Sequence, residues 1–272
     1  MLISSQISKA RELRVKVLTM LYNSQSGHPG GSLSCVEILM ALYYNKANIK
    51  PEDPHWVDRD RIILSKGHAA PILYAILADL NYFPKADLDD FRQITSHLQG
   101  HPDMGKTPGV DVNTGSLGHG ISVAGGMAKA AKYLKKEYQV FAIIGDGELQ
   151  EGLCWEASMA AAHYKLDNLT LLLDYNGLQI DGSNEEVMDL GDIMKKFKAF
   201  GFSCHKVNGH NIEEIVQALD APSDRKPKFI CCETIKGKGV SFMEDQFGWH
   251  GKAPNKEQYE QAMKELGGTG NV

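Results

Sequence analysis

The chain has 272 residues, enough for one large α/β domain or two small ones, so a mini-protein is excluded. Hydrophobic residues make up 43% and charged residues 23%, and 29 Lys+Arg against 34 Asp+Glu give a net charge of -5, so no basic field exists to draw nucleic acid. No apolar run approaches the roughly 20 residues that cross a bilayer, and the N-terminus lacks a secretory pattern, so membrane spanning and secretion are disfavoured.

Helical periodicity over residues 8–22 is followed by a glycine cluster at 27–31 and a second helical stretch at 33–44. A strand over 61–64 leads to a helix over 69–80. Glycines gather again at 105–126, where a helix over 120–136 begins. The apolar run of the strand at 140–144 ends in the glycines of 145–152 and a helix over 151–165. A strand over 169–175, a helix over 190–199, a strand over 201–207, a helix over 211–219 with Asn211 as N-cap and a strand over 228–235 complete the order, with more glycines at 237–251. VFAII and LTLLLDY lack alternation, as central strands buried on both faces do. The expected fold is therefore α/β, a parallel sheet with helices on both faces, forming a single domain over residues 1–272. The five cysteines (Cys35, Cys154, Cys204, Cys231, Cys232) are odd in number and form no CxxC pair, which points to a reducing, cytoplasmic compartment rather than a disulfide framework or a cysteine zinc site.

Ligands in such sheets bind at the carboxyl ends of strands, and two chemistry-bearing segments lie there, Gly145-Asp146-Gly147 and Asp174-Tyr175-Asn176-Gly177. Neighbouring parallel strands place the oxygens of Asp146 and Asn176 side by side, where a hard cation with a diphosphate completes its oxygen shell. The plainer reading is that Asp146 caps the next helix and Asn176 serves a turn. The spacing of the two segments favours the cation and diphosphate.

This pairing resembles the thiamine-diphosphate signature, and the surrounding segments resemble the N-terminal, diphosphate-binding part of transketolase. They are SGHPGGSLS, LSKGHA, GHPD, PGVDVNTGSLGHG, GDGELQEG, DYNGLQIDG and KGKGVSFMEDQFGWHG, in that order along nearly the whole chain. The resemblance implies Asp146, Asn176 and the Leu178 carbonyl as ligands of Mg²⁺ or Ca²⁺. It implies Gly147, His68 and His250 as diphosphate contacts, and Gly115 with Leu117 at the aminopyrimidine end of thiamine diphosphate. His28, His101 and His250 line the substrate channel with His68 nearby, and Glu151 joins a carboxylate network between active sites. The implied reaction moves a two-carbon ketol unit from a ketose or ketose phosphate to an aldose or aldose phosphate, the carbohydrate chemistry of the pentose phosphate pathway. Its proton transfers near neutral pH suit imidazole. His55, His97, His163, His205 and His210 match no motif and are read as structural. His119 stands where the family usually has glutamine, and Ser116 where it usually has proline.

The family's activating glutamate belongs to a pyrimidine-binding domain for which this chain has no room. The expectation is a split transketolase, a heterotetramer with two copies of each chain and the pyrimidine-binding domain on the second one. The Met start and the GGTGNV tail favour a natural chain over a piece of a longer one. The alternatives are a different thiamine-dependent enzyme, such as a 1-deoxyxylulose-5-phosphate synthase or part of a 2-oxoacid dehydrogenase, and a non-catalytic cofactor-binding half that regulates. GSLGHGISVAGGMAKA also permits a dinucleotide-loop reading, weak because no apolar strand precedes it. Gly120, Ala124 and Ala128 give that helix a small face for close packing.

Overall fold

The computed structural model describes residues 3–267, with side chains from residue 5 onward; the last residues of the GGTGNV tail, 268–272, lie outside the described residues. The helices are α1 (Ile3–Ser24), α2 (Pro29–Ser34), α3 (Val36–Met40), α4 (Ala70–Asp79), α5 (His119–Tyr133), α6 (Gly152–His163), α7 (Asn184–Met188), α8 (Ile193–Phe200), α9 (Ile212–Asp220) and α10 (Lys256–Leu266). The strands are β1 (Arg61–Leu64), β2 (Val140–Gly145), β3 (Leu169–Tyr175), β4 (Ser203–Asn208) and β5 (Lys228–Glu233). All pair in parallel in the order β1-β2-β3-β5-β4.

Alternate strand residues feed two cores, as the two-residue side-chain period requires. Phe141, Ile143, Leu172 and Ile230 meet α1, α3, α4, α9 and α10 on one face. Val140, Ala142, Ile144, Leu171, Leu173 and Phe229 meet α5, α6 and α8 on the other. The sheet is thus covered on both sides, and the non-alternating runs in β2 and β3 are central strands.

The expected elements are all present, with several boundaries corrected. The stretch read as one helix over 33–44 is three pieces: α2, α3, and a π-helical turn at Ala41–Lys46. Helical geometry breaks at Cys35 (φ -100°, ψ 17°). There the Cys35 thiol bonds the Gly31 carbonyl and the Ser34 hydroxyl bonds Asp174, so side chains compete with the backbone ladder. β4 starts at Ser203 rather than 201, because Gly201 closes α8 in a left-handed conformation (φ 100°) that a strand residue does not adopt. α1 begins earlier than residue 8, α5 stops at Tyr133 and β5 stops at Glu233. Asn211 caps α9 by accepting from the Glu213 and Glu214 amides. α10 was not foreseen, although its capping box, Asn255 with Gln258, is a readable start signal. α5 follows turns rather than a strand, so the dinucleotide-loop reading has no support, and Gly120, Ala124 and Ala128 are buried.

Candidate cofactor site

The carboxyl ends of β1, β2, β3 and β5 converge on a cavity of about 230 Å³. Its lining includes Lys66 and His68 after β1, Asp146 and Gly147 after β2, Asn176 and Leu178 after β3, and Lys236 and His250 after β5. Gly145 lies opposite Asp174 in the register, which sets Asp146 and Asn176 on adjacent strand ends. The Asp146 carboxylate accepts from the Gly147 amide at 2.8 Å and the Gly177 amide at 2.6 Å, bridging the two turns. Asn176 Oδ1 accepts from the Leu178 amide at 3.2 Å. The capping and turn roles weighed for these residues are therefore real, and they aim the same oxygens at the cavity. Among the described residues, no group of three or more His, Cys, Asp and Glu is placed to hold a metal ion. The donor set here is instead one carboxylate, one amide oxygen and the Leu178 carbonyl, all hard oxygens suited to Mg²⁺ or Ca²⁺.

Opposite these oxygens stand cations that went unassigned in the sequence. Lys236 donates to the Leu178 carbonyl at 3.0 Å and to His250 Nδ1 at 3.1 Å. An ammonium only donates, so Nδ1 of the neutral His250 ring is the bare nitrogen and Nε2 carries the proton. Burial brings the Lys236 ammonium down to about 8. Lys66, 1% exposed, pairs with Asp174, 0% exposed, and donates to the Gly31 carbonyl at 2.9 Å. Burial alone lowers the Lys66 ammonium, but the charge of Asp174 outweighs it and holds the group above its usual range. Asp174 also takes the hydroxyls of Ser34 and Thr234. Burial, reinforced by Asp174, raises Asp146 to about 6. The lysines lay inside the LSKGHA and KGKGV segments, and a charge next to a buried strand end was the signal that could have found them.

The four motif histidines cluster. His28 lies 5.3 Å from His68, 5.4 Å from His250 and 6.3 Å from His101 between ring centroids, and His68 lies 5.1 Å from His250. Burial, with nearby positive groups, holds His28 at about 4, His250 at about 3 and His68 well below the usual imidazole range. His28 Nδ1 is buried without a protein partner. Gly115 packs on the His101 ring with φ 135°, a conformation that glycine adopts without strain. Leu117 and Glu151 line the cavity, and Glu151 is exposed at the start of α6. Sequence reasoning also missed Glu148, which accepts from the Gly118 and Gly145 amides and ties the 115–118 loop to the end of β2. It missed Arg92 as well, which joins the two histidine loops through Ser26 Oγ at 2.7 Å and the Gly100 carbonyl at 3.4 Å. His119 is exposed at the start of α5, and His97 pairs with Asp87.

Comparison with known proteins agrees with this geometry. The family model described as "Transketolase, thiamine diphosphate binding domain" matches residues 5–271. One of the two subunits named for an apulose-4-phosphate transketolase in Phocaeicola vulgatus is 41% identical over 255 residues, covering 93% of this chain and 90% of that protein. The "6-deoxy-6-sulfo-D-fructose transketolase subunit SqwG" of a Clostridium species is 44% identical over 242 residues, 88% of each. The crystal structure of transketolase from Campylobacter jejuni superposes with a TM-score of 0.93 at 34% identity, covering 100% of this chain and 44% of that one. Human transketolase is 41% identical over 260 residues, which is 94% of this chain and 41% of the human protein. The chain thus spans under half the length of these larger enzymes.

Proposed function

The chain belongs to the transketolase family, as its thiamine-diphosphate-binding domain, and from that premise we propose that it is the diphosphate-binding half of a two-chain transketolase. The observation that carries the reading is the cavity itself, with hard oxygens on one wall and two lysines and two histidines on the other. That charge pattern suits a divalent cation bridged to a diphosphate. In this reading Asp146, Asn176 and the Leu178 carbonyl hold Mg²⁺ or Ca²⁺. Lys66, Lys236, His68, His250 and the Gly147 amide hold the diphosphate, and Gly115 and Leu117 face the aminopyrimidine end. Displacement of the Lys236 ammonium from the Leu178 carbonyl frees that oxygen for the metal.

When bound, thiamine diphosphate supplies the nucleophilic carbon and the electron sink for ketol transfer. This chain's residues position the substrate and move protons. His250 presents Nε2–H as a donor because Lys236 occupies Nδ1. His28 and His101 stand at the outer side of the cluster, where sugar oxygens gain and lose protons. An anion seated between the lysines offsets their positive field and lifts the imidazoles toward neutral pH, where they serve as both acid and base. Glu151, at the exposed edge of the cavity, faces the carboxylate network of a neighbouring chain.

Two relatives of matching length are named as transketolase subunits. By extension, a second chain with the pyrimidine-binding domain completes the site, in an assembly with two copies of each. Ketoses, aldoses and their phosphates are the substrates, nucleic acid is not a partner, and the 272 residues act as one domain. Among the described residues no helix is long and apolar enough to cross a membrane, and the five free cysteines suit a cytoplasmic setting. The test mixes this chain with its partner chain, Mg²⁺ and thiamine diphosphate and measures transfer from donor ketoses to aldehyde acceptors. Activity is expected only with both chains. Full turnover by this chain alone overturns the split-enzyme reading, and no transfer with any ketose overturns the reaction.

A further inference from the structure

We propose that His210, set aside by its sequence context, is a positioning residue that holds Lys236 in the cavity through the backbone of the 235–239 loop. That Lys236 faces a diphosphate is taken from the function proposed above; that His210 governs its placement follows from the hydrogen bonds alone. His210 sits in the turn between β4 and α9, outside the cofactor cavity and in a groove of about 560 Å³ shared with Arg14 and Glu37. Its Nε2 accepts from the Ile235 amide at 2.9 Å, and its Nδ1 lies 2.9 Å from Glu37 Oε2. A backbone amide only donates, so Nε2 is the bare nitrogen and Nδ1 carries the proton to Glu37.

Glu37 is in turn fixed by Arg14, with bonds of 2.6 and 2.9 Å between groups 7% and 5% exposed. The Arg14 guanidinium also donates through Nε to the Lys238 carbonyl at 2.8 Å. The loop is therefore gripped on both sides of Lys236, at Ile235 by His210 and at Lys238 by Arg14. The Gly237 amide bonds the Gly30 carbonyl at 3.1 Å, tying the loop to α2 beside the His28 turn. This grip matters because Lys236 lies outside any helix or strand. A lysine side chain is costly to order, and a backbone fixed on both flanks leaves only its own torsions to be restrained. Arg14, Glu37 and His210 come from α1, α3 and the β4–α9 turn, and they converge on one loop.

The decisive variant is His210→Asn, whose amide can still donate to Glu37 but has no atom in reach of the Ile235 amide. His210→Gln, whose Oε1 reaches further, is the rescue. In the cofactor-free chain, hydrogen exchange at Ile235–Gly239 is expected to rise about tenfold in His210→Asn and to return toward wild type in His210→Gln. In the complex with the partner chain at fixed Mg²⁺, the Kd for thiamine diphosphate is expected to rise about tenfold in His210→Asn. In a Lys236→Met background the same change is expected to add less than about twofold, because the two residues act in series. Unchanged exchange at Ile235, an unchanged Kd, or an equal loss of affinity with and without Lys236 overturns the proposal. A wild-type complex that binds no thiamine diphosphate sinks the functional reading instead, and loop exchange alone then decides whether His210 positions Lys236.

Discussion

Replacing Lys66 by methionine removes the ammonium that neutralises Asp174 while keeping most of the stem, so volume is conserved and charge is not. Ser34 and Thr234 still donate to the carboxylate. Asp174 is then hydrogen-bonded but carries an uncompensated charge at 0% exposure. Breaking one side of a buried ion pair costs about 3–5 kcal/mol. A domain's total stability is about 5–15 kcal/mol, so the fold survives in a weakened form. For a chain of this size about 2 °C is lost per kcal/mol, which places the drop in Tm at about 6–10 °C. The pH dependence gives a second, signed readout. In the native protein burial pushes the Asp174 carboxyl up, but Lys66 outweighs it and holds it below the usual range. Without Lys66 burial wins, and the folded carboxyl titrates above its unfolded value of about 3.9. The folded variant then binds a proton that the unfolded chain has released, so its stability falls as pH rises through the raised value. Thermal melts followed by circular dichroism from about pH 7.5 to about pH 5 are expected to show the gap from wild type narrowing toward acid. The double variant Lys66→Met/Asp174→Asn is expected to recover about 2 kcal/mol by removing the stranded charge. A single variant melting within about 2 °C of wild type, a gap that widens in acid, or a double variant no better than the single refutes this account of the pair.

Asp146→Ala is expected to raise the Kd for thiamine diphosphate at fixed Mg²⁺ by more than about a hundredfold in the two-chain complex, by removing the anionic ligand; unchanged affinity sinks the metal assignment. His28→Ala and His250→Ala are expected to lower turnover by about 10²- to 10⁴-fold with little effect on folding, His250→Ala also weakening the cofactor. Wild-type turnover in both refutes the channel assignment. In the cofactor-free chain, NMR titration is expected to find His28 and His250 neutral down to about 4 and about 3, with burial as the main cause. Unfolded imidazoles bind protons first as pH falls through about 6.5, so these two residues withdraw stability from there toward acid; ordinary midpoints contradict that origin. Gly115→Ala places a Cβ 2.8 Å from His101 Cδ2 in a left-handed backbone. It is expected to cost about 1–3 kcal/mol and to lower turnover by displacing that ring, which denaturant melts and kinetics together can read.

Much of this protein was legible in its sequence because the relevant physics is local. The unbroken apolar runs before Gly145 and Asn176 could only be strands buried on both faces, and the polar residues that follow them had to emerge where parallel sheets bind ligands. Asn211 could be named as a cap for the same local reason, and the four glycine- and proline-flanked histidines were singled out correctly as a group. The break at Cys35 was not legible, because it depends on Asp174, 140 residues from Ser34 along the chain. Nor were the roles of Lys66, Lys236 and His210. A lysine in a glycine loop reads as a solvated charge until the strand order β1-β2-β3-β5 brings a carboxylate from a neighbouring strand against it. A histidine in an exposed-looking turn reads as surface until a buried Glu37 and a backbone amide from another loop fix its tautomer. Periodicity and composition report what each residue prefers within a few positions of itself. Charge state, hydrogen-bond partner and the shape of the cavity are set by groups that only the folded sheet makes neighbours.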